Sequence, residues 1–177
     1  MSSSMQGNPN LSKQKIVYKS PWAALFWSIA IPGFGQLYNR DYLLGIILLL
    51  WELSVNLKAN INGMILHSFR GELQTSYEIV DINWLMFYPS VFIFGLWQSY
   101  NKARSINYKN GIEEQEEPYR QEFTFLFFGM VVGANFGIYY PILISPLFSR
   151  IALAIVLGII GHWIEKLILK RKSIEDE

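Results

Sequence analysis

The stretch from Lys19 to Leu57, KSPWAALFWSIAIPGFGQLYNRDYLLGIILLLWELSVNL, decides the fold. Two apolar segments meet in this stretch at a short polar turn, residues 32–41. Apolar blocks separated by polar turns are typical of membrane helices, whereas soluble amphipathic helices repeat their apolar residues every three or four positions. The stretch therefore predicts a membrane hairpin.

The rest of the chain continues this block pattern. Apolar residues make up 51% of the 177 residues and charged residues only 16%, and the charges lie between the blocks. We predict an all-α, polytopic integral membrane protein with about five transmembrane helices in one membrane domain, residues 19–172. A flexible polar tail (1–18) precedes it and an acidic tail (173–177) follows. The predicted helices are residues 21–38, 42–57, 84–100, 123–144 and 147–169, with polar loops at 58–83 and 101–122.

The composition excludes several classes of protein. The chain has no cysteine, so disulfides and thiolate metal sites are excluded. Its net charge is +1 and its basic residues lie at helix ends, which disfavours nucleic-acid binding. We predict no cofactor and no metal, and the lipid bilayer as the principal partner.

The basic residues predict the orientation of the chain. The loop 101–122 and the C-terminal flank are each rich in Lys and Arg, and the positive-inside rule predicts that both are cytoplasmic in a multi-pass cell-membrane protein. Five full crossings then place the N-terminus outside. In the alternative, residues 21–40 form a re-entrant element, four helices cross and both termini lie inside. Because exposed backbone is costly in lipid, we favour five crossings.

The polar turn carries a motif, P-G-x-G-Q-x-Y-N, formed by Pro32, Gly33, Gly35, Gln36, Tyr38 and Asn39. With the preceding Lys-Ser-Pro and with Gly45 in the next helix, it resembles the hairpin of small bacterial membrane proteins of the TM2-domain type and of related P-G-x-G-Q-x-Y-N families. The resemblance covers residues 19–57, but the basic-aromatic F-Y-L-G signature of TM2 domains is missing and three further helices follow. It implies a membrane hairpin and no reaction.

Four polar residues inside the apolar blocks are candidate functional residues: Glu52, Asn135, His162 and Glu165. Glu52 suits a proton or cation site, or a carboxyl bonded to Gln36 or Tyr38. His162 and Glu165 stand at i, i+3, a spacing that suits a shared metal or proton or an interfacial helix end. No third ligand is visible in the sequence. We expect Asn135 to form an interhelical hydrogen bond.

A row of small residues marks one face of the predicted fourth helix. Gly129, Gly133 and Gly137 recur at every fourth position, and Gly158 with Ala154 forms a matching face on the fifth helix. Small residues at this spacing let membrane helices approach closely. The face therefore serves either a dimer interface or packing of the fourth helix against the fifth.

No catalytic motif of the G-x-S-x-G, H-E-x-x-H or P-loop type occurs in the sequence. We therefore predict a non-enzymatic integral membrane protein that acts by helix packing with itself, as a homo-oligomer, or with a membrane partner. The alternative is a small transporter or channel component with Glu52 in a polar path. A third reading is a lipid-modifying enzyme built on Glu52, His162 and Glu165.

Overall fold

The computed structural model describes residues 17–112, 121–139 and 146–175, and in these residues the chain forms helices and no strand. The predicted all-α class is therefore confirmed for this part of the chain. The predicted N-terminal tail lies outside the described residues except for its last two. The helices are α1 Pro21–Ala30, α2 Phe34–Tyr38, α3 Tyr42–Ala59, α4 Ile61–Phe69, α5 Leu73–Glu78, α6 Ile82–Leu85, α7 Tyr88–Lys109, α8 Thr124–Tyr139 and α9 Pro146–Glu175.

The prediction of one continuous helix over 21–38 is wrong, although Pro32 within its apolar block predicts that the helix kinks or ends there. The chain leaves the helical conformation at Ile31, which is extended, and Gly33 then adopts a left-handed conformation with φ of 99°. Pro32 has no N–H to continue the helix, and only glycine tolerates a positive φ readily. Two short helices, α1 and α2, therefore replace the predicted one.

The predicted loop 58–83 is also wrong, because it contains α4, α5 and α6. Asn60 separates α3 from α4 by adopting a left-handed conformation with φ of 54°. Apolar residues of the following short helices then pack on the end of α3, around Val55, Met64 and Leu85. The segment folds because it buries these apolar side chains. Its composition is polar on average, so the sequence did not predict this burial.

Two predicted helix ends lie further along the chain in the structure. α7 continues to Lys109, well into the predicted polar loop 101–122, and α9 continues to Glu175, into the predicted acidic tail. In α7 the extension is stabilised by tertiary hydrogen bonds of its polar side chains, several of which are buried. The remainder of that loop, 113–120, and the turn at 140–145 lie outside the described residues.

α7 is the central helix, in contact with α1, α2, α3, α6 and α8, while α8 and α9 form a closely packed pair.

One end of the molecule, which we call the basic end, holds the start of α1, the start of α3 and the end of α7. Asp41 there accepts from Gln98 Nε2 at 3.1 Å. The start of α8 lies there too, with Phe123 against His162 of α9. The opposite end holds α4 to α6.

Among the described residues, two helices are long and apolar enough to cross a membrane, Tyr42–Ala59 in α3 and Leu147–Arg171 in α9. Only 22% of the first segment and 28% of the second are buried within the protein. The helices at the centre of a soluble protein bury most of their apolar surface. These two instead present theirs on the outside of the molecule.

Candidate functional site

Residues 19–41 form a hairpin that returns to its starting level. α1 has 10 residues and is therefore about 15 Å long. At the end of α2, the Tyr38 hydroxyl accepts from the Ser20 N–H at 3.0 Å, and the Tyr38 carbonyl accepts from Lys19 Nζ at 2.6 Å. The entry and the exit of the hairpin therefore lie side by side at the basic end.

The tip of the hairpin is packed between α3 and α7 with no space to spare. A Cβ on Gly33 would collide with the Gly45 carbonyl oxygen and would lie 2.9 Å from Leu49 Cγ. A Cβ on Gly35 would collide with Ser28 and with the backbone of Ala24. The two glycines of the motif therefore let α2 fold back directly onto α1 and α3.

Gln36 joins this hairpin to α7 by hydrogen bonds. Its side chain is fully buried, and Nε2 donates to the Gly95 carbonyl at 2.8 Å and to Gln98 Oε1 at 2.9 Å. Its Oε1 accepts from the Ser28 hydroxyl at 3.4 Å. One amide thus joins α1, α2 and α7, and both of its N–H groups are used.

Asn39 and Lys19 make the next contacts toward the basic end. Asn39 Nδ2 donates to the Ser99 carbonyl at 2.7 Å, while its Oδ1 is buried without a partner. The Lys19 backbone is held by Asn107, whose side chain accepts from the Lys19 N–H at 2.8 Å and donates to the Lys19 carbonyl at 2.7 Å. Burial, with a smaller contribution from Arg40, lowers the pKa of Lys19.

The polar face of α7 that receives the hairpin was not predicted. It also binds the segment that precedes α8: Asn101 exchanges two hydrogen bonds with the Glu122 backbone, and Arg104 forms an ion pair with the Glu122 carboxylate at 2.9 Å. The available signal was the run of amide and hydroxyl side chains from residue 98 to 107, which crosses from the predicted helix 84–100 into the predicted polar loop 101–122. The structure buries most of these residues.

Glu52 lies near the opposite end, away from the turn motif. Its Oε1 accepts from the Tyr88 hydroxyl at 3.4 Å, so neither Gln36 nor Tyr38 is its partner. Along α7, Tyr88 and the Gly95 carbonyl that Gln36 contacts are about 10 Å apart. Apolar side chains, including the buried Ile93, occupy the intervening turns.

Arg150 is a buried residue that sequence reasoning missed. Its Nε donates to the Ala134 carbonyl at 3.1 Å, and one terminal nitrogen donates to the Leu85 carbonyl at 3.1 Å. The side chain is 6% exposed. The signal was present, because Arg150 is an ionisable residue within the predicted helix 147–169, the criterion that selected Glu52.

The remaining candidate polar residues are Asn135 on α8 and the pair His162 and Glu165 on α9. Asn135 Nδ2 donates to the Val131 carbonyl of its own helix at 2.9 Å and to the Ser90 hydroxyl of α7 at 3.3 Å. His162 Nδ1 and Glu165 Oε2 are buried on α9 toward the basic end, and neither has a partner among the described residues. No group of three His, Asp or Glu side chains is placed to hold a metal within the described segments.

The glycine face of α8 lies against α9 of the same chain. A Cβ on Gly129 would collide with the Leu157 carbonyl, and one on Gly133 with the Leu153 carbonyl. A Cβ on Gly137 would approach the Arg150 backbone at 2.6 Å, and one on Gly158 would lie 2.6 Å from the Met130 side chain. The face is therefore occupied within the molecule.

Comparison with protein-family models, with curated proteins and with solved structures finds no match.

Proposed function

We propose that the chain is a polytopic membrane protein with four crossings, α3, α7, α8 and α9, and a re-entrant N-terminal hairpin formed by α1 and α2. The observation that supports this most directly is the return of Tyr38 to the level of Lys19 and Ser20. A helix of about 15 Å spans half of a hydrocarbon core of about 30 Å. The hairpin backbone is sheltered by α3 and α7, as a re-entrant element requires.

Apolar side chains on the outside of the molecule support the membrane placement. On α3, Leu43 is 76% exposed and Leu57 85%, and α9 presents a similar row that includes Ile155, Ile159 and Trp163. Apolar surface of this extent is unfavourable in water and is found where a protein meets lipid or a partner. The hairpin contributes Trp22, Phe26 and Trp27 to the same surface.

The charges support the same arrangement. With the hairpin re-entrant, all of the 15 basic residues lie on the side of the basic end except Lys58, Arg70 and Arg150. Five crossings would instead move the N-terminal lysines to the other side. The positive-inside rule therefore favours four crossings, with the basic end and both termini in the cytoplasm.

Within this placement, the protein acts without catalysis, by packing its outer helix faces against itself or against a membrane partner. The glycine face is unavailable for this role because it is filled by α9. The outer faces of α3 and α9 are free among the described residues and are mostly apolar, with exposed charged side chains near the ends of the two helices. We therefore place the interaction surface on α3 and α9.

Disulfide crosslinking in native membranes tests this role, because the chain has no cysteine of its own. We expect Leu50→Cys on α3 or Val156→Cys on α9, both on the outer surface, to give a crosslinked or larger species. Blue-native electrophoresis measures the size of the complex. Ala59→Cys, which is fully buried, is the matched control and stays uncrosslinked. A strictly monomeric protein at both outer positions would contradict the role.

A further inference from the structure

An open groove of about 310 Å³ lies between α4, α7, α8 and α9 toward the opposite end of the molecule. Its walls are apolar and include Met64, Phe92, Met130 and Ile155. Among the described residues that line it, only Tyr88 and Arg150 carry polar side chains. The groove therefore suits an apolar chain, and it carries one cationic side chain, Arg150, in its wall.

Among the described residues, no Asp or Glu side chain is paired with the charge of Arg150. Two of its five N–H groups donate to the Leu85 and Ala134 carbonyls, which are neutral. None of the Asp and Glu side chains that the structure describes forms an ion pair with it; Glu122, for example, pairs with Arg104. A charge held away from water without a counterion is costly, and an anion bound beside it relieves that cost.

We propose that this groove binds an acidic phospholipid, with an acyl chain along the apolar walls and the phosphate on the Arg150 guanidinium. Arginine is suited to phosphate because its planar fork donates two parallel hydrogen bonds. A lipid with a net negative charge is favoured over a zwitterionic one, because the ammonium group of a zwitterionic headgroup offsets the charge of its own phosphate and repels Arg150. Tyr88 lies in the same wall, and its hydroxyl donates to Glu52 Oε1 at 3.4 Å.

The depth of Arg150 fits this ligand. The residue is four positions from the start of α9, so it lies about 6 Å along the helix axis from that end. In a four-crossing arrangement this places the guanidinium near the headgroup level of the leaflet opposite the basic end. The proposal therefore rests on the proposed membrane placement, and it goes beyond it by assigning a ligand.

Native mass spectrometry of the purified full chain in mild detergent tests the site. Phosphatidylglycerol and phosphatidylethanolamine with identical acyl chains are titrated separately, and oleate is the third probe. We expect phosphatidylglycerol to bind about tenfold more tightly than phosphatidylethanolamine, as one charge-assisted contact predicts. Equal affinity for the two phospholipids, or tighter binding of oleate than of phosphatidylglycerol, would overturn the proposal.

Two variants separate the charge from the groove. Arg150→Gln removes the charge and is expected to reduce the preference for phosphatidylglycerol to about one. Arg150 also donates hydrogen bonds to two backbone carbonyls, so its replacement could disturb the fold. Ile155→Trp therefore provides an independent test, because it fills the groove from a rim position that is 52% exposed. Its control is Ile159→Trp, also 52% exposed, one turn further along α9 and outside the groove.

We expect Ile155→Trp to lose the preference for phosphatidylglycerol and Ile159→Trp to keep it. If Arg150→Gln does not fold, the comparison of Ile155→Trp with Ile159→Trp tests the lipid site by itself. A tenfold preference that survives in both Arg150→Gln and Ile155→Trp would reject the site. The lipid site can fail while the topology stands, because cysteine labelling of the loops measures the membrane placement separately.

Discussion

The amide of Gln36 holds the hairpin together through three hydrogen bonds to three partners. At the residue scale, these contacts favour a structural role for the motif, because its side-chain polar atoms other than Asn39 Oδ1 bond within the protein. The sequence identified Gln36, Tyr38 and Asn39 as a unit, but it did not identify their partners, because hydrogen bonds to residues about 60 positions away leave no local pattern. Ser99 and Gln98 of α7 complete the unit.

Gln36→Met tests this structural role. The thioether keeps the approximate shape but donates no hydrogen bond, so the Gly95 carbonyl and Gln98 lose their partner in a buried position. We expect the free energy of unfolding to fall by about 2 kcal/mol or more. Thermal unfolding followed by circular dichroism in detergent measures the effect. Gln74→Met, at an exposed position, is the matched control, and equal stability of the two variants would contradict the role of Gln36.

Glu52 is the residue at which the transporter alternative is tested. Its partner is Tyr88, and about 10 Å of apolar packing separates this pair from the hydrogen bonds of Gln36. We expect Glu52→Gln to cost about 1 kcal/mol or less, because an amide oxygen still accepts from the Tyr88 hydroxyl. In liposomes we expect no proton flux from either form. A pH-dependent flux that Glu52→Gln abolishes would support the alternative.

At the scale of elements, the sequence leaves two alternatives for residues 21–40, a full crossing or a re-entrant element. It does not decide between them. Pro32 and Gly33 predict an interruption, but the angle at which α2 leaves depends on contacts of the tip with Gly45 and Leu49. The short helices α4 to α6 were missed because they are stabilised by tertiary packing and not by their own sequences: α4 and α6 pack against α3, and α5 packs against α4.

The α8–α9 pair gives a prediction at the same scale. A methyl group on Gly133 would meet the Leu153 carbonyl and force the helices apart, so Gly133→Ala is expected to lower the free energy of unfolding by about 1–3 kcal/mol. Gly95→Ala is the control, since its Cβ would lie 3.5 Å from Leu48 Cδ1 in ordinary contact. Thermal unfolding of both variants measures the difference. A loss at Gly95→Ala as large as that at Gly133→Ala would contradict this packing.

At the scale of the whole molecule, hydropathy and charge predict the class of protein, and contacts are needed for its topology. The all-α class followed from the apolar blocks. The orientation depends on the basic residues and on whether residues 21–40 cross or return. The sequence alone favours a full crossing, because it does not reveal which helices shelter the hairpin backbone. Gly45 of the neighbouring α3 leaves the space for it.

The proposed membrane topology depends most on the hairpin being re-entrant. Cysteine labelling in intact cells tests this directly. Single cysteines replace Tyr18, Arg40, Arg70 and Asn110, one at a time, in the cysteine-free chain. An impermeant maleimide is added before and after the membrane is opened. We predict that Arg70→Cys reacts in intact cells, while Tyr18→Cys, Arg40→Cys and Asn110→Cys react only after opening. Reaction of Tyr18→Cys in intact cells, with Arg40→Cys protected, would show a full crossing and contradict the account.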